Sequence, residues 1–367
     1  MAVDCAGGFS TADDPDDAVA EACEGALAEA DVALAFVSSA YGDAVERMGA
    51  GMRRRLRPGG FLGCTVQGAI GGRTEVESGP SLSVFTARLP GAEVEVFRAG
   101  GDDGLPAPRD GDTVLLLADP FSAPLFRVLE GLPLGVGVVG GIASGSSRPK
   151  SNRLYAGADT ADGGCVGARI RGAPVRAVVS QGCRPIGRPF VVTRAEDNAL
   201  LGLAGRPPVE RLRDLFGSLS DQDKALAQRG LHIGCAIDEY RDHHGPGDFL
   251  IRNVLGLDSS SGALLVTDRF RVGQTVQFHV RDSASATDDL ERRLARDKGA
   301  TPPAGAVLFT CNGRGTHLYG EPHRDASIVQ DTLGPLPLAG FFAGGEVGPV
   351  GGRNYLHGFT ASLALFG

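Results

Sequence analysis

The chain alternates short apolar runs with polar stretches of helical period, and glycine breaks the runs at regular places. Val32-Ala-Leu-Ala-Phe-Val37 is an uninterrupted apolar run of strand length, which fits a strand buried on both faces. From Asp43 to Arg57 the apolar positions Met48, Met52 and Leu56 recur every four residues and form one stripe of an amphipathic helix. The segment PGGFLGCTVQGAIGG follows, and then the run from Ser81 to Leu89, closed by Pro90-Gly91. The order is strand, helix, glycine-punctuated strand, strand.

That order recurs near the C-terminus in Ala306–Cys311, a helical stretch from Glu321 to Leu333, LPLAGFFAGGEVGP and Phe359–Phe366. Gly63, Gly68 and Gly71 have the spacing of Gly340, Gly345 and Gly348, with Ile70 matching Val347. A third copy runs from Thr113–Leu117 through LPLGVGVVGGIASG to Cys165–Ile170, where Gly140 and Gly145 repeat the first interval. Three copies of one β-α-β-β plan predict an α/β protein of mixed sheets with covering helices. Glycines that end a strand let another backbone or a ligand approach closely, so Gly63, Gly68, Gly140, Gly340 and Gly345 fit either an anion site or a tight sheet crossing.

Residues Pro174 to Lys298 break the pattern with strands such as VGQTVQFHV and helices at Val209–Phe216 and Asp221–Gln228. The expected organisation is an acidic helical region over 1–29, with a helix from Asp14 to Glu29, and two domains over 30–200 and 201–367 joined near 195–210. The length of 367 residues fits two domains.

Gly and Pro supply 77 residues, about a fifth of the chain, against an average of about 12%. They have no collagen period and alternate with apolar runs, which describes a loop-rich globular protein. A formal charge of -8 without a long basic stretch argues against nucleic-acid and anionic-membrane binding. The first 31 residues hold nine acids and no Lys or Arg, unlike a secretory signal. No run approaches the roughly 18 apolar residues of a membrane helix. Seven scattered cysteines without a CxxC pair read as reduced thiols, and the expected location is the cytoplasm.

Several motifs carry little chemistry. Gly135-Val-Gly-Val-Val-Gly140 satisfies GxGxxG, but its residues read as a strand with a turn behind it, not as a helix opening on a pyrophosphate. Asp238 to His244 has metal-like donors, yet Gly245-Pro246-Gly247 ends any ligand frame, so a solvated loop without a metal is expected. MRRRLR is either a solvated helix face or a phosphate contact. Cys64, beside Gly63, is either a structural thiol or a nucleophile activated by strand-end donors. The richest cluster is Glu346, Arg353, Asn354, Tyr355 and His357, spread among six glycines from Gly344 to Gly358. It presents an acid, a guanidinium, an amide, a phenol and an imidazole on loops beside apolar strands, and such groups can converge on a small polar ligand. His357 could also serve as the axial base of a haem, and the alternative to a site is a Glu346–Arg353 pair at the rim with His357 satisfying a strand end.

Here the chain resembles the FIST family of tandem N- and C-terminal domains. The matching segments include DVALAFVSSAYGDAVERM, FLGCTVQGAIGG, HIGCAIDEY, VGQTVQFHVRDSASATDDL, LAGFFAGGEVGP and NYLHGFTASLALFG, spread over roughly residues 30–366. The resemblance implies an intracellular small-ligand sensor, with amino acids as proposed ligands. One branch resembles haem-binding nitric-oxide sensors, and a eukaryotic branch carries an F-box. The tandem domains fill this chain, so signalling would need a separate output protein. Four readings stand: a non-catalytic sensor of a small polar metabolite without a cofactor, a haem protein, a partner-binding scaffold and an enzyme.

Overall fold

A computed structural model describes the chain except residues 1, 101–106, 242–243, 246, 259 and 298–301. It is a mixed α/β protein that divides into two compact units, residues 1–180 with 290–367 and residues 181–289. The compact units are therefore not consecutive halves of the chain: the second interrupts the first.

The first unit holds three repeats. The first repeat comprises β1 (Asp4–Ser10), α1 (Pro15–Glu24), β2 (Val32–Ser38), α2 (Val45–Leu56), β3 (Gly60–Val66), β4 (Ala69–Gly71), β5 (Thr74–Val76) and β6 (Leu82–Arg88). The second comprises β7 (Glu93–Ala99), β8 (Thr113–Ala118), α3 (Leu125–Glu130), β9 (Gly137–Ile142), β10 (Leu154–Ala156), β11 (Asp159–Ala161) and β12 (Cys165–Arg171). The third opens with β13 (Val175–Gln181). After it comes the second unit, a closed barrel of β14 (Cys183–Glu196), β15 (Ala199–Leu203), β16 (Leu231–Ala236), β17 (Phe249–Leu257), β18 (Leu264–Val266) and β19 (Thr275–Arg281), with α4 (Pro208–Ser218) and α5 (Asp221–Arg229). The third repeat resumes through α6 (Ser283–Asp297), β20 (Gly305–Cys311), α7 (Thr316–Tyr319), α8 (Arg324–Leu333), β21 (Leu338–Ala343), β22 (Glu346–Val350), β23 (Arg353–His357) and β24 (Thr360–Phe366).

The expected β-α-β-β order is present in all three repeats, with a hairpin set between the last two strands. Each repeat builds a sheet in which the strands before and after its central helical segment run parallel, as in β2 with β3, β8 with β9 and β20 with β21. The hairpin leaves its own sheet. The β4–β5 hairpin joins β21, β22–β23 joins β9, and β10–β11 joins β3, so the three repeats exchange hairpins in a closed ring. One central core receives Leu34 and Phe36 from the first sheet, Leu115 and Leu117 from the second, and Phe309 and Phe341 from the third. Phe36 lies 4.8 Å from Phe341 and 6.1 Å from Phe309 between ring centroids.

The strand glycines are sites of close approach. A Cβ on Gly63, Gly140 or Gly340 would stand 2.2, 1.8 or 2.0 Å from the carbonyl oxygen of Ala35, Leu116 or Leu308 on the parallel neighbour. In all three the close approach is between paired strands of one sheet.

α1 is shorter than expected and ends at Gly25. Asp14 caps it by accepting from Asp16 N at 2.8 Å and Asp17 N at 3.1 Å, and Pro15 suits its first turn. In α2 the stripe Met48, Met52 and Leu56 is buried, and Arg53, Arg54 and Arg55 fall in the last turn, where cations complement the helix dipole. The strand β1 has no strong apolar alternation. Its pairing with β6 supplies the reason for a strand.

Residues 137–140 of the GxGxxG segment lie in the strand β9, and the next element is β10, not a helix. In the Asp238–His244 segment, Glu239 accepts from Thr275 N and His244 Nε2 lies 2.9 Å from Asp238 O; Asp242 and His243 lie outside the described residues. Among the described residues no cluster of three or more His, Cys, Asp or Glu is placed to hold a metal, and no helix is long and apolar enough to cross a membrane.

Candidate functional site

The hairpin β22–β23 holds the C-terminal cluster. Glu346 pairs with His357 at its base, and Val350 pairs with Arg353 at its far end. Glu346 and Arg353 are thus four strand positions apart, roughly 13 Å, and no ion pair joins them. Glu346 is fully buried; its Oε2 accepts from Thr360 Oγ1 at 2.6 Å and Thr360 N at 3.1 Å. Burial pushes its carboxyl up to about 8. His357 is buried with Nε2 3.0 Å from Gly348 O, and the Tyr355 ring lies 6.2 Å from it. The Asn354 amide bridges to β9, accepting from Val138 N and donating to Val136 O, both at 2.8 Å. Arg353 is exposed. The structure brings Glu346, Tyr355 and His357 together, gives Asn354 a strand-bridging role and leaves Arg353 apart.

Cys64 is fully buried on β3, and burial pushes its thiol up, away from thiolate character. Gly68 and Gly345 occupy one place in their repeats: the Gly68 carbonyl accepts from Phe342 N and the Gly345 carbonyl from Ile142 N. In the second repeat that place belongs to Arg153, whose carbonyl accepts from Thr65 N at 2.8 Å. Gly145 therefore matches Gly68 in spacing only. Gly63 and Gly68 are five positions apart, whereas Gly140 and Arg153 are thirteen apart, because extra residues precede the second hairpin.

Those extra residues build a site. Ligands of α/β proteins gather where parallel strands end, next to the helix that follows, and the three repeats treat that place differently. In the third repeat it is filled. The Glu77 carboxylate, from the loop after β5, accepts from Thr316 N at 2.8 Å and Thr316 Oγ1 at 2.7 Å. In the second, Asp119 Oδ2 accepts from Phe121 N and Ser122 N at 3.0 Å, and Asn152 Nδ2 donates to Oδ1 at 3.3 Å. In the first repeat it is an open cleft of about 530 Å³, lined by Ser39, Asp43, Glu46, Thr65, Ser146, Ser151 and Arg153 with Gly42, Val45 and Gly145. Arg153 Nε donates to Glu46 Oε1 at 2.6 Å, and Nη1 donates to the carbonyls of Lys150 and Asn152 at 3.0 Å. Thr65 Oγ1 accepts from Arg153 N at 2.8 Å. The wall is hydroxyl-rich and contains no aromatic side chain.

The family model for the FIST N domain matches residues 31–206, and that for the FIST C domain matches 208–349. The chain belongs to the FIST family. It is 43% identical over 378 residues to the uncharacterized protein Rv0628c of Mycobacterium tuberculosis strain H37Rv, with 98% of each chain covered. It is 41% identical over 348 residues to the uncharacterized protein Mb0898c of Mycobacterium bovis, covering 91% of this chain and 90% of that protein. In this FIST chain the boundary between the family models falls inside the barrel, between β15 and α4. Both cleft-lining walls, Ser39–Thr65 and Gly145–Arg153, lie in the FIST N segment. Sequence reading missed the cleft because SGSSRPKSNR looks like an ordinary turn. The signal available was its extra length relative to the other two copies.

Proposed function

We propose that this FIST chain is a non-catalytic intracellular sensor that binds a small polar metabolite in the first-repeat cleft and passes its state to a separate signalling protein. The observation that carries this reading is the cleft itself. It is a polar concavity of about 530 Å³ at the carboxyl ends of β2 and β3, at a place that protein side chains fill in the other two repeats. That volume falls within the range of about 300–1,000 Å³ typical of small-molecule sites. Its hydroxyls and charges can orient a ligand, and the buried thiol of Cys64 is a poor nucleophile. The test is native mass spectrometry of gently purified protein beside a Ser39→Trp variant. Ser39 is exposed on the cleft wall, so the indole can fill the cleft without disturbing the core. A small molecule retained by the native protein and lost by the variant, with melting unchanged, is expected. Equal retention by both would place the ligand elsewhere.

A further inference from the structure

The equivalence of the first and third repeats indicates the charge of the ligand. Counting from the paired strands β2 and β20, Ser39 matches Asn312, Gly42 matches Gly315 and Asp43 matches Thr316. The backbone agrees: Gly42 has φ 56° and ψ −130°, and Gly315 has φ 55° and ψ −140°, a conformation that favours glycine. The two turns are the same turn. In the third repeat it holds an anion, because Thr316 offers an N–H and a hydroxyl to the Glu77 carboxylate. In the first repeat the anion belongs to the turn itself, as Asp43. The residue matching Glu77 is Asp162, one methylene shorter, exposed and absent from the cleft lining.

The remaining charges agree with this inversion. Arg153 is the one guanidinium lining the cleft, and Glu46 compensates it at 2.6 Å. Asp43 has no such partner among the ion pairs of the described residues, so the cleft carries one net negative charge. Its other polar contributors are the hydroxyls of Ser39, Thr65, Ser146 and Ser151, which accept as well as donate. The lining has no aromatic ring to receive a quaternary ammonium by its face.

We infer that the cleft binds a small hydroxylated primary amine, such as an amino alcohol or amino sugar, with its ammonium on Asp43 and its hydroxyls on the serines. This rests on the cleft being the ligand site and adds the ligand's chemical class. The test is calorimetric titration at low salt with four probes: glucosamine, ethanolamine, choline and acetate, each against native protein, Asp43→Asn and Ser39→Trp. The two primary amines are expected to bind, with glucosamine tighter than ethanolamine and choline weaker than both. Asp43→Asn should weaken the amines at least tenfold, while Ser39→Trp abolishes binding. Binding of acetate, strengthened by Asp43→Asn, would overturn the amine assignment and leave the ligand cleft standing. Amine binding that survives Asp43→Asn unchanged would also overturn it. If none of the four probes binds, the amine assignment falls. The cleft itself falls only if native mass spectrometry also finds no molecule that Ser39→Trp displaces.

Discussion

Asp325 and Met48 stand at the same place on matching helices, yet one is a buried charge and the other a core methionine. The stripe Met48, Met52 and Leu56 of α2 corresponds to Asp325, Val329 and Leu333 of α8, and all six are buried. In the third repeat Arg314 replaces Tyr41 and Thr310 replaces Val37 around that position. Arg314 Nε and Nη2 donate to the two Asp325 oxygens at 2.8 and 2.7 Å, and Thr310 Oγ1 donates to Oδ2 at 2.6 Å. Burial opposes the charge on Asp325, but Arg314 and its hydrogen bonds overcome that and hold the carboxyl below its usual range. The same fold position thus accepts an apolar or an ionic solution, the ionic one with both carboxylate oxygens bonded to the guanidinium. Glu346 is different, since burial dominates and no guanidinium touches it. Its carboxyl, pushed up to about 8, binds a proton more tightly folded than unfolded. Its contribution to stability is therefore full below about 4.5 and is lost as pH rises to about 8. Glu346→Gln keeps a neutral amide at this place, so melting temperature measured from pH 5 to 8.5 should fall less steeply in the variant than in the native protein. Parallel curves would show that Glu346 is ionised throughout.

Among the elements, the strands and helices of the repeat plan were largely legible because their apolar patterns are local. Met48, Met52 and Leu56 announced α2, and Gly63 and Gly340 marked the same close approach of paired strands. The hairpin exchange was not legible: nothing in the sequence of β4–β5 says that it pairs with β21, 270 positions away at Ile70 with Gly340. For the same reason Glu346 and Arg353 looked like neighbours in a glycine-rich loop, while the hairpin register sends them to opposite ends. The cleft depends on an element that the repeat does not predict, the extra residues before β10. Deleting Gly145–Asn152 and replacing Arg153 with Gly would restore the five-position spacing of the other repeats. The expected outcome is a protein that still unfolds cooperatively, since Asp119 retains the Phe121 and Ser122 donors, but no longer retains a ligand. Retention of the ligand at native strength would show that β2 and α2 alone form the site.

For the whole molecule, sequence families and compactness divide the chain differently. The FIST N and FIST C segments meet near 207, whereas the compact units are the three-repeat body and the barrel over 181–289. The barrel enters between β13 and β20, in the interval that holds only α1 in the first repeat. Its strands close in the order β14-β15-β18-β17-β16-β19, which leaves no open sheet edge. Its own core contains Ile186, Val192, Leu200, Leu203, Ile233, Leu264, Val276, Phe278 and Val280. Arg184 is tied to Asp282 at 3.1 Å, and Gln181 N donates to Asp289 Oδ2 at 3.0 Å, so both ends of the segment are anchored within it. A closed sheet with a continuous apolar interior and secured ends meets the requirements of an independent folding unit. Gln181–Asp289 expressed alone should therefore melt in one cooperative transition and give a dispersed amide spectrum. A collapsed spectrum without a transition would mean that the barrel depends on the three-repeat body, and that the insertion is a folding extension of the third repeat.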